Sequence, residues 1–227
     1  MGLPARRAPR RRTCRPRRRR PGRPRPPGSG TRLIRGAAGG RGVRAARRKA
    51  RRAAYLAAPQ AGPDAPPSSL MNAMSEPGSI TMMAFCNPAE QLTPGLPNTA
   101  RWRAAEIPAS NGHATARALA TLYGRLVSGA IVGPDVLGRA VAPRSEGRDE
   151  VPRGQTRFAL GYMPPCEIRP FAPNPRAFGH SGSGGALAFA DPDAGVALAY
   201  TPSRLVVSAA GPDPRWQPMV AALYACL

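Results

Sequence analysis

Apolar residues recur at helical spacing in a segment near the middle of the chain. They stand at positions i, i+3, i+4, i+7 and i+8 and are Leu119, Leu122, Tyr123, Leu126 and Val127. This spacing places them on one face of an α-helix, where they can pack against a core. Ser110 or Asn111 is a suitable N-cap, and Gly129 stands where helices commonly end in a left-handed residue. The pattern therefore predicts an amphipathic helix that ends just before Gly129.

A second helical pattern occupies the last part of the sequence. Asp213 provides a capping side chain, and Pro214 is suited to the first helical turn. The apolar positions that follow at helical spacing are Trp216, Met219, Val220, Leu223, Tyr224 and Leu227. The pattern predicts a closing helix with one apolar face.

Apolar runs between these two helices are typical of strands. Residues 158–163 predict one short strand, and residues 184–190 and 196–201 predict two more. The last two runs are joined by Asp-Pro-Asp-Ala-Gly, which is rich in turn-forming residues and indicates a hairpin. Helices on either side of such a hairpin favour an α+β fold, in which helices cover an antiparallel sheet. We expect this domain to span residues 80–227.

The positive charge of the chain is concentrated in its first quarter. Residues 1–52 contain 21 of the 34 basic residues and none of the 12 acidic ones, so they carry nearly all of the net charge of +22. Residues 1–58 consist largely of Arg, Pro, Gly and Ala, which bury too little apolar surface to offset chain entropy. We expect a disordered basic tail over residues 1–58, helical at most over residues 41–58, and a linker over residues 59–79.

The basic tail has three interpretations. Its arginines can bind nucleic-acid phosphates non-specifically through residues 1–52, although no aromatic residues are interleaved for base stacking. Its Arg-rich, acid-free composition also suits a mitochondrial-type presequence, although early prolines oppose an amphipathic helix. The third interpretation is a passive tail, of the composition that GC-rich DNA yields when it is read in another frame or from too early a start.

Cysteine and histidine usage bears on cofactors and on location. The four cysteines are scattered without a C-x-x-C pair, and His113 and His180 are the only histidines. This pattern favours reduced thiols in a cytoplasmic protein and predicts no metal or other cofactor. No run of about 18 apolar residues predicts a membrane span, and no apolar segment after the arginines indicates a secretory signal.

Four stretches of the sequence resemble, in this order, parts of one enzyme family. They are residues 98–130, 157–162 (RFALGY), 178–200 (FGHSGSGGALAFADPDAGVALAY) and 213–227 (DPRWQPMVAALYACL). Together they resemble the C-terminal half of the β-lactamase-related serine hydrolases, which include class C β-lactamases, D-amino-acid peptidases and esterases. The resemblance implies part of a β-lactamase or penicillin-binding-protein type of fold. It also implies hydrolysis of a small-molecule acyl substrate through a serine ester.

The third motif of that family, K-T-G or H-x-G, lies on a strand at the edge of the sheet. His180, Ser181 and Gly182 match it in this chain. The resemblance implies that His180 holds or polarises the substrate. It also implies that the backbone N–H of Ser183 points at the oxyanion that develops during acyl transfer. These four residues are therefore the candidate catalytic residues.

The first two motifs of the family are absent from this sequence. The nucleophilic serine belongs to S-x-x-K, but the only lysine is Lys49, and Ala46 stands three residues before it. None of the five tyrosines begins a Y-x-N or Y-x-S motif. Because loss of the nucleophile removes covalent catalysis, the sequence favours a truncated, catalytically silent chain. The alternatives are a nucleic-acid-associated protein and a non-catalytic chain that needs another polypeptide to complete its sheet.

Other catalytic arrangements fit the sequence less well. Residues 179–183 differ from the nucleophile elbow G-x-S-x-G at the last position, and no histidine follows them. We interpret His113 as a polar residue at the entry of the central helix. Two acidic pairs are interpreted as solvated charge in a loop and a turn; they are Asp149–Glu150 and Asp191/Asp193.

Overall fold

The structure is a computed structural model that describes residues 56–60, 69–166, 169–182, 184–206 and 213–227. The predicted disordered tail therefore lies almost entirely outside the described residues. Within the described ranges the helices are α1 (Ser69–Ser75), α2 (Ile80–Phe85), α3 (Ala100–Ala104), α4 (Ala116–Val127), α5 (Pro134–Val141) and α6 (Trp216–Tyr224). Two short 3-10 helices, Ala89–Leu92 and Leu96–Asn98, lie between α2 and α3. None of the described helices is long and apolar enough to cross a membrane.

The described strands form three small sheets. The strands are β1 (Ala57–Gln60), β2 (Ser145–Asp149), β3 (Gly154–Phe158), β4 (Phe178–Ser181), β5 (Leu187–Asp191), β6 (Val196–Tyr200) and β7 (Arg204–Val206). Strands β4, β5 and β6 form an antiparallel sheet in that order, and β2 pairs with β3 in an antiparallel hairpin. Strand β1 pairs with β7 in parallel. The α+β prediction is confirmed.

Helix α4 forms where the apolar spacing predicts it. Its N-cap is Thr115, whose side chain accepts a hydrogen bond from the backbone N–H of Ala118, so the predicted caps Ser110 and Asn111 are wrong. The helix ends at Val127 with Ser128 as its C-cap, and Gly129, which follows, has a φ of 74° and fills the predicted left-handed position. Helix α4 packs on β5 and β6, which places its apolar face over the sheet.

The central strand β5 is buried on both faces. Ala188 and Ala190 face a cluster formed with Tyr123 and Leu126 of α4, while Leu187 and Phe189 face a second cluster with Trp216 and Val220 of α6. All five residues of β5 are buried, which explains why the strand is an apolar run rather than an alternating one. The sheet is thus the middle layer between α4 on one side and α6 on the other.

The hairpin predicted between the two helices is confirmed as β5 and β6. The strands pair from Leu187 opposite Tyr200 to Asp191 opposite Val196, and the first one begins three residues later than predicted. The predicted strand at residues 158–163 is wrong, because β3 ends at Phe158 and the chain then turns. The last residue of the predicted segment, Met163, forms an isolated antiparallel bridge with Gly179.

Helix α6 begins at Trp216, three residues after Asp213, the cap predicted from the sequence. Asp213 accepts a hydrogen bond from the backbone N–H of Arg215 through its side chain, and its carbonyl accepts one from Trp216. Asp213 therefore caps the turn that enters the helix.

Helix α1 falls within the segment interpreted as a linker, and the domain boundary near Ile80 stays a prediction.

Candidate active site

The candidate motif lies at the end of the outer strand β4. This strand pairs with β5 through Phe178 opposite Ala190 and Ser181 opposite Leu187. Side chains alternate along a strand, so His180 shares the α4 face of the sheet with Phe178, while Ser181 shares the α6 face with Leu187.

This alternation separates the two polar side chains of the motif. His180 is exposed, whereas Ser181 is 8% exposed and lies on the opposite face of the sheet. A nucleophile and its general base must lie within hydrogen-bonding reach of each other. Because the two side chains lie on opposite faces of the sheet, His180 is not placed to act as the general base for Ser181.

The backbone of β4 presents an open edge at the motif. Gly179 exchanges two hydrogen bonds with Met163 on the side away from β5, with N···O distances of 2.7 and 3.1 Å. Backbone N–H and C=O groups alternate between the two sides of a strand. The backbone groups of Ser181 therefore point to the same outer side as those of Gly179, beyond the bridge to Met163. Gly182 turns back and donates to the carbonyl of Ala186 at 2.7 Å. Ser183 lies outside the described residues, so its predicted oxyanion contact stays a prediction.

Hydrogen bonding and desolvation set the protonation of His180. Its Nδ1 lies 2.7 Å from the carbonyl oxygen of Ser181, which can only accept, so Nδ1 carries the proton and Nε2 is the acceptor of the neutral ring. Desolvation lowers the pKa of His180, the hydrogen bond to Ser181 opposes this shift, and the charge of Arg169 adds to it. Because the net shift is downward from 6.5, the ring is neutral at pH 7.

A clamp formed by Asp213, Arg215 and Trp216 holds the turn that follows the motif. Arg215 forms an ion pair with Asp213 and donates to the carbonyl of Gly184 at 3.2 Å, while Trp216 Nε1 donates to the carbonyl of Gly185 at 2.8 Å. Gly185 has a φ of 96°, and a Cβ atom there would overlap the Asp213 carboxylate.

Sequence reasoning missed this clamp. The run Asp-Pro-Arg-Trp was interpreted only as a helix start, yet it places an acid, a guanidinium and an indole within four residues. Buried polar groups need partners, and Asp213 is 4% exposed. Burial alone would raise the pKa of Asp213, but the hydrogen bonds and charge of Arg215 outweigh it and lower the pKa below its ordinary value. The carboxylate therefore stays ionised and holds Arg215 against the turn.

One of the two acidic pairs was interpreted wrongly. Asp191 is 1% exposed, so it is not a solvated charge. Its carboxylate accepts hydrogen bonds from the side chains of Asn174 and Tyr224, at 2.7 and 2.6 Å, and from two backbone N–H groups of the β5–β6 turn. Asp193 is exposed and pairs with Arg176. Asp191 therefore fixes the hairpin turn and ties it to α6.

Tyr123 and Tyr162 lie beside the start of β4. Both rings pack against Phe178, with centroids 6.0 and 5.2 Å away. Burial, with a smaller contribution from Tyr162, raises the pKa of Tyr123 to about 12. Its hydroxyl is thus protonated at neutral pH and cannot serve there as a phenolate base.

His113 lies ahead of α4, and its Nδ1 is 2.7 Å from the carbonyl oxygen of Asn111.

A cavity of about 570 Å³ lies between α4, α5 and the start of β4. Its lining is largely apolar and includes Leu126, Leu137 and Phe178, with Arg157 and Arg176 as its charged members. The residues His180–Gly182 do not line it. The cavity is therefore separate from the candidate motif.

Comparisons with known proteins agree on one family. The family model described as Beta-lactamase matches residues 1–217 of the chain. The esterase/beta-lactamase LipL of Mycobacterium tuberculosis is 40% identical over 111 residues, which are 45% of this chain and 24% of that protein. The resemblance found in the sequence is thereby confirmed.

Solved structures show the same fold. A novel penicillin-binding protein homolog from Caulobacter crescentus is 34% identical with a TM-score of 0.57, over 76% of this chain and 44% of its own. A family VIII carboxylesterase is 31% identical with a TM-score of 0.52, over 63% of this chain and 40% of its own. EstA from Arthrobacter nitroguajacolicus, 23% identical with a TM-score of 0.59, supports the fold alone and is covered over 52% of its length. The chain spans about half or less of each of these relatives.

Proposed function

Because this chain belongs to the beta-lactamase family of serine hydrolases, we propose that it forms the sheet-edge half of an acyl-transfer site. The observation that carries the proposal is the position of His180, exposed near the end of the outer strand β4 and followed by a glycine-rich turn. The substrates are small-molecule acyl compounds. No cofactor takes part in the proposed chemistry.

Each residue of the motif has a separate role in this proposal. The backbone N–H of Ser183 stabilises the oxyanion, since preorganised donors at a developing charge lower the barrier to acyl transfer. The backbone groups of Ser181 point to the outer edge of β4, and those of Gly182 point to β5. This alternation supports the assignment. Gly182 leaves room beside the donor, and the clamp of Asp213, Arg215 and Trp216 fixes the turn beyond it.

The neutral state of His180 limits the role of its side chain to hydrogen bonding. A permanent cation at this position would attract a substrate carboxylate, whereas a neutral ring offers Nε2 as a hydrogen-bond acceptor. The lowered pKa of His180 keeps the ring neutral at pH 7. The ring therefore adds no positive charge that would attract a substrate carboxylate, and the charge that acts on it comes from Arg169.

This chain is proposed to be catalytically silent. It has no S-x-x-K serine and no Y-x-N or Y-x-S tyrosine. Ser181, the serine of the motif, lies on the face of the sheet opposite to His180. In serine hydrolases the nucleophile and its activating groups act as a unit, so what this edge retains is binding and oxyanion stabilisation.

Covalent labelling tests the silence of the chain. Incubation with a fluorophosphonate, a chromogenic lactam and a p-nitrophenyl ester should give no adduct by intact-protein mass spectrometry. Ester hydrolysis should not exceed that of the heat-denatured chain. A stoichiometric serine adduct would contradict this, and its loss in the variant Ser181→Ala would identify Ser181 as the nucleophile.

Binding at the sheet edge needs its own measurement. Titration with a short uncharged ester should shift the NMR resonance of the His180 ring, since the motif contacts the ligand directly. His113 is the other histidine of the chain and lies ahead of α4, so its resonance serves as an internal control. Equal shifts of both resonances, or none of His180, would overturn the site assignment.

The basic tail supports a second candidate function, which is non-specific nucleic-acid binding. Residues 1–52 carry 21 positive charges and no negative ones, and such segments release counterions when they bind phosphates. Affinity for duplex DNA should fall steeply as salt is raised and should vanish when residues 1–60 are deleted. Binding that survives the deletion would refute this role.

A further inference from the structure

Arg169 lies in the loop that leads into β4, and backbone hydrogen bonds hold it in place. Its N–H donates to the carbonyl of Cys166 at 2.9 Å, and its own carbonyl accepts from the N–H of Cys166 at 3.4 Å and of Phe171 at 2.9 Å. Phe171 is 1% exposed and belongs to the core cluster on the α6 face. The Arg169 side chain therefore projects from a stretch of backbone that is tied to the core.

The Arg169 side chain reaches the outer edge of β4, the edge that carries the motif. Its Nη1 donates to Met163 Sδ at 3.6 Å. Met163 in turn exchanges two backbone hydrogen bonds with Gly179, the residue before His180. A thioether sulfur is a weak, uncharged acceptor, so this contact orients the guanidinium without neutralising it. Arg169 therefore brings a positive charge to the outer edge of β4.

The His180 ring lies toward the same edge. Its Nδ1 bonds the carbonyl oxygen of Ser181, and the backbone groups of Ser181 point to the outer side of β4. The charge of Arg169 reaches this ring, because it contributes to the lowering of the His180 pKa. A positive charge disfavours protonation of a neighbouring histidine in this way when the two lie close together. The contact with Met163 and the effect on the ring both place the guanidinium beside the motif.

We propose that Arg169 is the anion-binding residue of this sheet edge, and that the acyl compound bound there carries a carboxylate that the guanidinium holds beside His180. This inference rests on the acyl-binding role proposed for the edge. The neutral His180 ring offers an acceptor and no charge, whereas a guanidinium stays charged at neutral pH. Its five N–H donors include parallel pairs that match a carboxylate, so one contact with a sulfur leaves it able to bind one.

A matched pair of esters tests the proposal in the intact chain. Monomethyl succinate carries a carboxylate, and dimethyl succinate has the same skeleton without a charge. Each ester is titrated while the His180 ring resonance is followed by NMR, with His113 as the internal control. The anionic ester should bind about fivefold more tightly, at the upper end for a partly exposed ion pair. It should also raise the pKa of His180, because a bound negative charge favours the protonated ring. Equal affinities overturn the proposal.

Substitutions at Arg169 separate its effect from that of the net charge of +22. Arg169→Gln should abolish the preference for the anionic ester and raise the pKa of His180 in the free chain, because the positive charge is lost. Arg169→Lys should keep the preference, because the charge is kept. The matched control Arg148→Gln removes an exposed positive charge from β2 and should bind both esters as the wild type does. A preference that survives in Arg169→Gln overturns the proposal.

The outcomes also separate this inference from the proposed function. If the neutral ester shifts the His180 resonance and the anionic ester binds no more tightly, acyl binding at the edge stands and the role of Arg169 is overturned. If neither ester shifts it, both proposals are overturned. Circular dichroism checks that each variant folds. Where Arg169→Gln does not fold, Arg169→Met takes its place, since it keeps an apolar contact with Met163 and removes the charge; it too should show no preference, and a preference there overturns the proposal.

Discussion

Replacing Gly179 with alanine probes the close approach of β4 and β5 directly. A Cβ atom at this position would lie 2.5 Å from Phe189 Cβ and 2.7 Å from Phe189 Cα, and it would overlap the carbonyl oxygen of Ala188. These atoms belong to the backbone or are fixed to it, so no rotamer change relieves the contact. The strands must separate, and the bridge between Gly179 and Met163 must shift with them.

The cost follows from the packing and from the bridge. Overpacking a well-packed site costs about 1–3 kcal/mol, and a weakened hydrogen bond adds about 0.5–1.5 kcal/mol. We expect Gly179→Ala to lower the free energy of unfolding by about 3 kcal/mol. At about 2–4 °C per kcal/mol for a chain of this size, the midpoint should fall by about 6–12 °C.

Thermal and urea unfolding of the full chain, followed by circular dichroism, measure this loss. Gly138→Ala is the matched control, because Gly138 lies inside α5 and a Cβ there meets nothing within 4 Å. Alanine in a helix interior stabilises by about 0.5–1 kcal/mol relative to glycine, so this control should move in the opposite direction. Wild-type stability of Gly179→Ala would refute the register of β4 on β5.

Three further substitutions test the core and the buried carboxylates by urea unfolding. Phe189 is fully buried, so Phe189→Ala should cost about 3–5 kcal/mol. Tyr224→Phe removes a donor from the buried carboxylate of Asp191 and should cost about 1–3 kcal/mol; an unchanged midpoint would show that this bond contributes nothing. The lowered pKa of Asp213 means that its stabilisation is present above the unfolded value of about 3.9 and is lost as pH falls through the folded one. The acid limb of the stability profile should therefore flatten in Asp213→Asn, and identical limbs would contradict the pairing with Arg215.

Periodic apolar patterns predicted the parts of the fold that lie against the core. Helix α4, the β5–β6 hairpin and helix α6 each bury apolar residues. Burial of one face of an element requires apolar residues at regular spacing, and this spacing can be recognised in the sequence. The hairpin of β2 and β3 was not predicted, because its strands read Ser-Glu-Gly-Arg-Asp and Gly-Gln-Thr-Arg-Phe. In β2 no residue is buried, so no alternating apolar pattern is present to indicate the strand.

The candidate site was predicted only as far as its motif. His180 and its neighbours were found because their order resembles the third motif of the family. The roles of Asp191, Asp213 and Arg215 depend on contacts with residues far away in sequence. Tyr224 lies 33 positions from Asp191, and Arg215 lies 31 positions from Gly184. Neither local spacing nor composition records such contacts, so an acidic residue in a turn was interpreted as solvated when it is buried.

The clamp has a consequence for the order of events during synthesis. Chains are made from the N-terminus, and segments can fold as they emerge from the ribosome. Two of the hydrogen bonds that hold the turn after His180 come from Arg215 and Trp216, each 31 positions after the glycine that it contacts. The motif is therefore made before the side chains that shape it. Its geometry is completed only when α6 has left the ribosome and docked against the sheet.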